Sequence, residues 1–301
     1  CRLVGYTPIC GCGPNSAILH YGHAGEPNSR HLQDGDMCLM DMGAELPNGL
    51  FYGSDVTCSY PANGTFTTKQ AGIYTAVLNA QRTVFSMIRP GVSWVDCHKA
   101  AERTILASLC EIGIVKLVQQ GCGDDDDDDD DDESTTTTLD DLVEKRLSAV
   151  FMPHGLGHLI GIDTHDVGGY LPGHPKRIQQ PGLKSLRTAR ILEQGMCLTN
   201  EPGCYFIDHL LDEALEDPKL SPYLNAPLIN TEYRGFGGVR LEDVFCVTAT
   251  GFVNYTLCPR TIEEVESVMA GDKWPPLKDV APELGRLRLL DPTPLPAPPS
   301  L

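Results

Sequence analysis

The chain has few positive charges and no long apolar run. Its 301 residues include 23 Lys and Arg against 41 Asp and Glu, a net charge of −18. This balance disfavours nucleic acid as a partner. No apolar run reaches the roughly 18–20 residues that span a bilayer, and no basic segment leads into an apolar one as in a signal peptide. These absences predict a soluble, cytoplasmic protein without membrane contact.

Cysteine is not scarce, but it does not indicate a disulfide framework. The chain carries 12 cysteines, and a chain of this length does not need disulfides in order to fold. They are scattered through apolar segments, as at Cys38, Cys58, Cys197 and Cys246. We therefore expect reduced, buried thiols.

Nine consecutive aspartates, Asp124 to Asp132, account for half of the net charge. A block of like charge without apolar residues cannot bury enough surface to offset its ordering entropy. The sequence therefore predicts a disordered surface insertion over residues 123–139. A calcium-binding tract is the alternative, although nothing spaces these carboxylates around a turn as a calcium loop does.

The remaining pattern indicates one large domain, residues 1–271, followed by a Pro-rich tail, residues 272–301. We expect the tail to be extended and mobile, or alternatively a proline-rich docking motif. Strands are predicted over 3–12, 37–43 and 50–60, the last two joined by a turn at 47–49.

Helices are predicted from capping residues and from apolar positions at helical intervals. Thr67 and Gln70 form a capping box before a helix that stops at Pro90, and a second helix spans 93–112. Thr261 and Glu264 form another capping box before a helix that ends at Gly271.

Five acidic and imidazole residues lie in or beside apolar, β-prone segments: Asp41, Asp55, His158, Glu201 and Glu242. An unpaired charge is costly in such a buried position, and divalent cations would remove that cost. Oxygen-rich sites with one imidazole suit ions such as manganese. Two alternatives remain for single residues. Asp41 could cap a turn at Gly43, and Glu242 could pair with Arg240 on an exposed strand.

The order and the surrounding words of these residues resemble the pita-bread metallopeptidases, which include methionine aminopeptidase, aminopeptidase P and prolidase. Within that family the prolidases match best, through the segments FMPHGLGHLIGIDTHDVGGY, PGLKSLRTARILEQGMCLTNEPGCYFIDHLLDEAL and YRGFGGVRLEDV. The resemblance runs from about residue 6 to residue 271. It implies an α+β fold, a curved and mostly antiparallel sheet covered by helices, in a chain that lacks an amino-terminal domain.

The resemblance also implies the metal ligands. Asp41 would hold one ion, and His158 and Glu201 would hold the other. Asp55 and Glu242 would bridge the two divalent ions, which we expect to be Mn²⁺. Two departures from the family stand out: the segment between Asp41 and Asp55 is longer, and Asn200 replaces a small apolar residue before Glu201.

Further roles follow from the same resemblance. Glu201 would also shuttle a proton, and His154 and His165 would act on the reacting group, so these three are the expected catalytic residues. The expected substrate-binding residues are His20, His165, Arg187 and Arg240. The Arg187 guanidinium would bind the free carboxylate of the substrate. For His20, a core histidine is the alternative.

The expected activity is hydrolysis of dipeptides that end in proline or hydroxyproline, by a hydroxide shared between two metals. The alternatives are an aminopeptidase P that acts on longer peptides and a pita-bread module that has lost catalysis and only binds other molecules. A Xaa-Pro dipeptide is therefore the expected partner, and the complete protein is expected to form a homodimer.

Overall fold

Two long helices pack side by side at the centre of the fold. A computed structural model describes residues 1, 3–22, 30–46, 51–119 and 136–288. Helix α1 spans Thr68–Met87 and α2 spans Trp94–Glu111. The predicted capping box is present, since Thr67 accepts from Gln70 N and the Gln70 side chain accepts from Thr67 N. Such caps are each worth about 1 kcal/mol because they satisfy backbone donors that a helix start leaves unpaired.

The first sheet carries Asp41, and Asp55 directly precedes its third strand. Strands β1 (Ile9–Cys12), β2 (Met37–Met42) and β3 (Val56–Pro61) form an antiparallel sheet in that order. Asp41 pairs with Thr57 in the β2–β3 register. The first strand begins at Ile9 rather than at residue 3, and the predicted turn at 47–49 lies outside the described residues.

Five strands of the carboxy-terminal half form two further antiparallel sheets. They are β4 (Cys197–Asn200), β5 (Gly203–Tyr205), β6 (Gly238–Arg240), β7 (Asp243–Val247) and β8 (Phe252–Asn254). The orders are β4-β7-β8 and β5-β6. Glu242 joins them to the first sheet, since its N–H donates to Thr57 O at 3.1 Å. The pairs between these eight strands are thus all antiparallel, which agrees with the predicted mostly antiparallel sheet.

The remaining helices are short: α3 (Leu139–Glu144), α4 (Ser148–Phe151), α5 (Asp208–Glu216), α6 (Ala226–Leu228) and α7 (Ile262–Met269). The predicted capping box at Thr261 and Glu264 is present, and Gly271 (φ 102°) ends α7. There the N–H groups of Gly271 and Asp272 donate to Val268 O and Ser267 O, which is the Schellman arrangement. None of the described helices is both long and apolar enough to cross a bilayer.

Helix α1 packs its apolar face on the β4-β7-β8 sheet. Phe85 stacks on Phe252 at 4.7 Å between ring centroids and meets Phe245 edge-on at 5.8 Å. Trp94 at the start of α2 is fully buried against Phe245. Burying one such side chain is worth about 2–3 kcal/mol, so this cluster fixes β7 relative to the helices.

The predicted insertion ends earlier than expected. Most of it, together with its nine aspartates, falls within residues 120–135, which lie outside the described residues. Residues 136–139 belong to the fold, contrary to the prediction. Thr136 bridges to Gln119, Thr137 is buried, and Thr138 caps α3. The prediction failed because a polar run of threonines does not show from its composition which backbone and capping hydrogen bonds it forms.

The prediction of a mobile tail from residue 272 is wrong for residues 272–288. Ala281 and Leu284 are fully buried in the main core. Arg286 donates to both carboxylate oxygens of Glu264, at 2.8 and 2.9 Å, and its side chain is 1% exposed. Two apolar residues and one paired arginine therefore anchor a segment whose composition is dominated by proline and charge. Residues 289–301 lie outside the described residues.

The described cysteines are free thiols. Cys38 is buried as predicted, whereas Cys58, Cys197 and Cys246 are only half-buried.

Replacing Arg286 with alanine should lower the free energy of unfolding by about 3 kcal/mol, because it leaves the Glu264 carboxylate buried without its partner. Urea unfolding of the two proteins measures the difference. The exposed Lys278, replaced by alanine, is the control and should change little. Equal stability of all three proteins would show that the segment does not depend on this ion pair.

Candidate metal centre

One cavity of about 520 Å³ contains the site residues that the sequence predicted. The five expected metal ligands all line it: Asp41, Asp55, His158, Glu201 and Glu242. The other expected site residues line it as well: His20, His154, His165, Arg187 and Arg240. Residues as far apart in the sequence as His20 and Glu242 therefore lie in the same cavity.

His158 lies at the centre of the carboxylates. Its Nε2 atom is 3.3 Å from Asp55 Oδ2, 3.5 Å from Glu201 Oε1 and 4.0 Å from Glu242 Oε1. Three of these residues can each offer one ligand atom, and the three atoms lie within 4.8 Å of one another: Asp55, His158 and Glu242. Such spacing lets a single cation contact all three side chains.

Backbone contacts fix the orientation of the His158 ring. Its Nδ1 lies 3.0 Å from Leu159 O, and since a carbonyl only accepts, Nδ1 carries the proton. In the neutral ring the lone pair of Nε2 then faces the carboxylates, as a metal ligand requires. Burial lowers the pKa of His158, but the hydrogen bond to Asp55 and the charge of Glu201 together raise it above its ordinary value.

The negative charge of the four carboxylates exceeds the positive charge that neighbouring side chains supply. Burial, followed by the neighbouring carboxylates, raises the pKa of Glu242 well above its ordinary value. Burial likewise raises the pKa of Glu201 to about 7, although His158 and Arg240 oppose this shift, and raises that of Asp41. A donor set of four carboxylates and one imidazole with excess negative charge fits divalent cations.

Arg240 is buried beside this cluster and its donors are engaged. Nη2 donates to Asp41 Oδ2 at 2.5 Å, Nη1 to Tyr205 Oη at 2.8 Å, and Nε to Thr57 Oγ1 at 3.2 Å. The alternative in which Glu242 pairs with Arg240 on an exposed strand is wrong, because both residues are buried and Arg240 pairs with Asp41.

Three side chains that the sequence did not single out hold the ligands. Thr57 Oγ1 donates to Glu242 Oε2 at 2.6 Å, and Thr199 Oγ1 to Glu201 Oε1 at 3.1 Å. Each threonine lies two residues from a ligand, Asp55 or Glu201, so strand periodicity could have placed it on the same face. Tyr6 Oη contacts both Asp41 and Asp55, a role for which its local sequence gives no signal.

The three predicted histidines other than His158 differ in environment. The His154 Nδ1 lies 2.8 Å from Gly155 O, and burial lowers the pKa of this ring to about 3. Its Nε2 is buried and has no hydrogen-bond partner among the described residues. His165 packs edge-on against His158 at 4.5 Å, and burial followed by the charge of His158 lowers its pKa to about 4. His20 is exposed at the cavity wall.

Arg187 is exposed in the cavity, and its guanidinium has no hydrogen-bond or ion-pair partner in the described part of the chain. The backbone before it is firmly held. Tyr170 Oη donates to Leu186 O at 2.7 Å, and Arg177 Nη1 donates to the same carbonyl at 2.5 Å. The Arg177 guanidinium also lies 4.2 Å above the Tyr170 ring. The backbone of this loop is thus held in place, while the Arg187 guanidinium has no partner among the described residues.

The profile of metallopeptidase family M24 matches residues 1–249. The chain belongs to this family. It is 52% identical to the Xaa-Pro dipeptidase of Homo sapiens and 50% identical to that of Mus musculus, each over 270 residues. Both alignments cover 90% of this chain but only 50% of the relative, so the chain spans about half the length of these proteins.

Solved structures of the family have the same fold. A variant of Escherichia coli aminopeptidase P in complex with substrate superposes with a TM-score of 0.65 at 31% identity, over 89% of this chain and 48% of that one. The zinc-substituted E. coli enzyme in complex with product superposes with a TM-score of 0.64 at 30% identity, over the same shares of the two chains. The predicted pita-bread fold is confirmed. M24 metallopeptidases bind divalent metals, which agrees with the donor set in the cavity.

Gln81 of α1 connects the two backbone segments that lead to the predicted ligands Glu201 and Glu242. Its Nε2 lies 3.4 Å from both Asn200 O and Leu241 O, the carbonyls directly before Glu201 and Glu242. The Asn200 side chain donates to Gln81 O at 3.1 Å. The Asn200 side chain therefore points toward α1 rather than into the cavity, and Gln81 contacts the carbonyl before each of the two predicted ligands.

Replacing Gln81 with methionine should weaken Mn²⁺ binding by about tenfold, because the two ligand segments lose a shared donor while the side-chain volume is kept. Isothermal titration calorimetry measures the affinity. Thr104→Val removes the hydrogen bond between α1 and α2 at Thr83 and is the matched control, which should bind Mn²⁺ normally. Unchanged affinity in the Gln81 variant would assign this residue a role in packing alone.

Proposed function

We propose that this protein hydrolyses dipeptides whose carboxy-terminal residue is proline or hydroxyproline, with two Mn²⁺ ions as cofactor. The observation that carries the proposal is one cavity that is lined both by the five predicted ligand side chains and by Arg187, whose guanidinium has no partner among the described residues. The similarity to mammalian Xaa-Pro dipeptidases supports it, although it covers only half of their length.

In this proposal Asp41 would hold one ion, His158 and Glu201 would hold the other, and Asp55 and Glu242 would contribute to both. The oxygen-rich donor set with one imidazole supports manganese. When bound, a pair of such ions acidifies water and polarises a carbonyl.

Glu201 is the residue that we propose for proton transfer. Thr199 holds its Oε1 atom. Oε2 has no hydrogen-bond partner among the described residues, which leaves it to take a proton and deliver it to the leaving nitrogen. The position of Glu201 on the cavity wall supports this role.

The two catalytic histidines would have different tasks. His154 has its proton on Nδ1, so its Nε2 is an acceptor and would face a donor, such as the amino terminus of the substrate. His165 is exposed at the cavity and adjoins His158, so its N–H would stabilise negative charge that develops on the carbonyl oxygen.

Arg187 would bind the substrate carboxylate. A guanidinium fork binds a carboxylate through two parallel hydrogen bonds, which would restrict the enzyme to dipeptides. Proline fits because an imide bond has no N–H, and this site would hold the carbonyl and the terminal charges instead. His20 would contact the substrate from the cavity wall. Arg240 would contribute positive charge behind Asp41, since its own donors are engaged.

The resemblance to prolidases also supports a homodimer for the complete protein and a cytoplasmic location, and both belong to the proposal. An aminopeptidase P activity and a non-catalytic binding module are the competing functions. Turnover of Gly-Pro against Gly-Pro-Pro separates them. We expect hydrolysis of the dipeptide with little of the tripeptide; the reverse preference indicates aminopeptidase P, and turnover of neither by the complete, metal-loaded protein indicates a binding module.

Replacing Arg187 with alanine should raise KM for Gly-Pro at least tenfold, because a charge-assisted hydrogen bond contributes about 1.5–3 kcal/mol. The Mn²⁺ content should not change. Steady-state kinetics with Gly-Pro and with its carboxamide make the comparison. If KM rises by the same factor for Gly-Pro and for its carboxamide, Arg187 does not bind the carboxylate. The exposed Lys184→Ala is the control.

A further inference from the structure

Two cysteines face each other across adjacent strands behind the metal centre. Cys197 of β4 and Cys246 of β7 are direct partners in the antiparallel register. Both are free thiols and half-buried. We infer that Cys197 and Cys246 form a reversible disulfide when the protein meets a low-molecular-weight disulfide.

The hydrogen-bond pattern places this pair at a site suited to a disulfide. Val247 N donates to Met196 O at 2.9 Å, so the neighbouring pair is hydrogen-bonded. The Cys197 carbonyl faces away from β7, because it accepts from Ile160 N at 3.2 Å. Hydrogen-bonded and non-hydrogen-bonded pairs alternate along an antiparallel ladder, so Cys197 and Cys246 form a non-hydrogen-bonded pair.

This type of pair has the spacing that a disulfide needs. Opposite Cα atoms in a non-hydrogen-bonded pair are about 4.5 Å apart, and their side chains approach closely. Disulfides span Cα separations of about 4.4–6.8 Å. The typical spacing of such a pair thus falls within the range that a disulfide can span.

The chemical environment keeps the pair reduced until an oxidant arrives. Burial, and then the neighbouring Cys246 thiol, raise the pKa of Cys197 to about 12. Little Cys197 thiolate exists at neutral pH, and the thiolate is the nucleophile. We expect slow oxidation that speeds up as the pH rises.

The reaction balances as a thiol–disulfide exchange. One cysteine thiolate attacks a sulfur of the small disulfide, forms a mixed disulfide and releases one small thiol. The second cysteine then attacks the protein sulfur of that mixed disulfide and releases the second small thiol. Two cysteine thiols are oxidised, one small disulfide is reduced to two thiols, and their protons pass to the released thiolates.

The bond would join the two segments that lead to metal ligands. Cys197 lies four residues before Glu201, and Cys246 lies four residues after Glu242. It would close a loop over residues 197–246 and restrict the unfolded chain. The oxidised protein should therefore unfold at a temperature higher by on the order of 5 °C.

Peptide mapping tests the inference. The chain is incubated with oxidised glutathione, quenched with acid, alkylated and digested without reductant. We expect a peptide pair joined through Cys197 and Cys246, which dithiothreitol separates, together with the rise in unfolding temperature. The exposed Cys10 should carry glutathione and shows that the oxidant has acted.

Cys197→Val and Cys246→Val are the matched variants, since valine suits a half-buried strand position. Neither should form the joined peptide or gain thermal stability from the oxidant. A Cys110→Ser variant should behave as the wild type. Full alkylation of Cys197 and Cys246 in wild-type protein whose Cys10 has reacted would overturn the inference, as would a disulfide that joins either of them to another cysteine.

Discussion

Four carboxylates lie close together in one buried cavity, and the rest of the structure has to hold them there. Burial raises the pKa of Asp41, Glu201 and Glu242, which means that the folded protein alone does not stabilise their ionised forms. Arg240 offsets part of this charge through Asp41. The negative charge that Arg240 does not neutralise is the physical reason for expecting divalent ions there. A cation between carboxylates attracts each of them and so outweighs their mutual repulsion.

The surrounding fold holds these groups at short range against that repulsion. Thr57 and Thr199 each fix one carboxylate oxygen, and the backbone of Glu242 pairs with β3. Behind the strands, Arg260 is fully buried and donates to Asp243 Oδ1, to Thr57 O at 2.9 Å and to Glu242 O at 2.7 Å. Helix α1 adds Gln81 from the other side. The positions of the predicted ligands are thus fixed both by hydrogen bonds to their carboxylate oxygens and by hydrogen bonds to the backbone beside them.

Local signals could be predicted from the sequence, and distant contacts could not. The capping boxes at Thr67 and Thr261 depend on residues three apart, so their sequence spacing defines them. The five predicted ligands have recognisable flanking residues, and the structure places all five in one cavity. Tyr6 and Gln81 contact residues 35 to 160 positions away, and no local pattern marks such contacts. Composition misled at residues 272–288, where two buried apolar residues and one buried ion pair outweigh a proline-rich, polar sequence.

The most direct test of this account is the number of Mn²⁺ ions that the chain binds. Calorimetric titration of the metal-free protein should give about two ions per chain, and Asp55→Asn should lose most of this binding, because a bridging carboxylate contacts both ions. A wild-type protein that binds no Mn²⁺, or an Asp55→Asn variant that still binds two ions with the same affinity, would contradict the assignment of this cavity as a dinuclear metal centre.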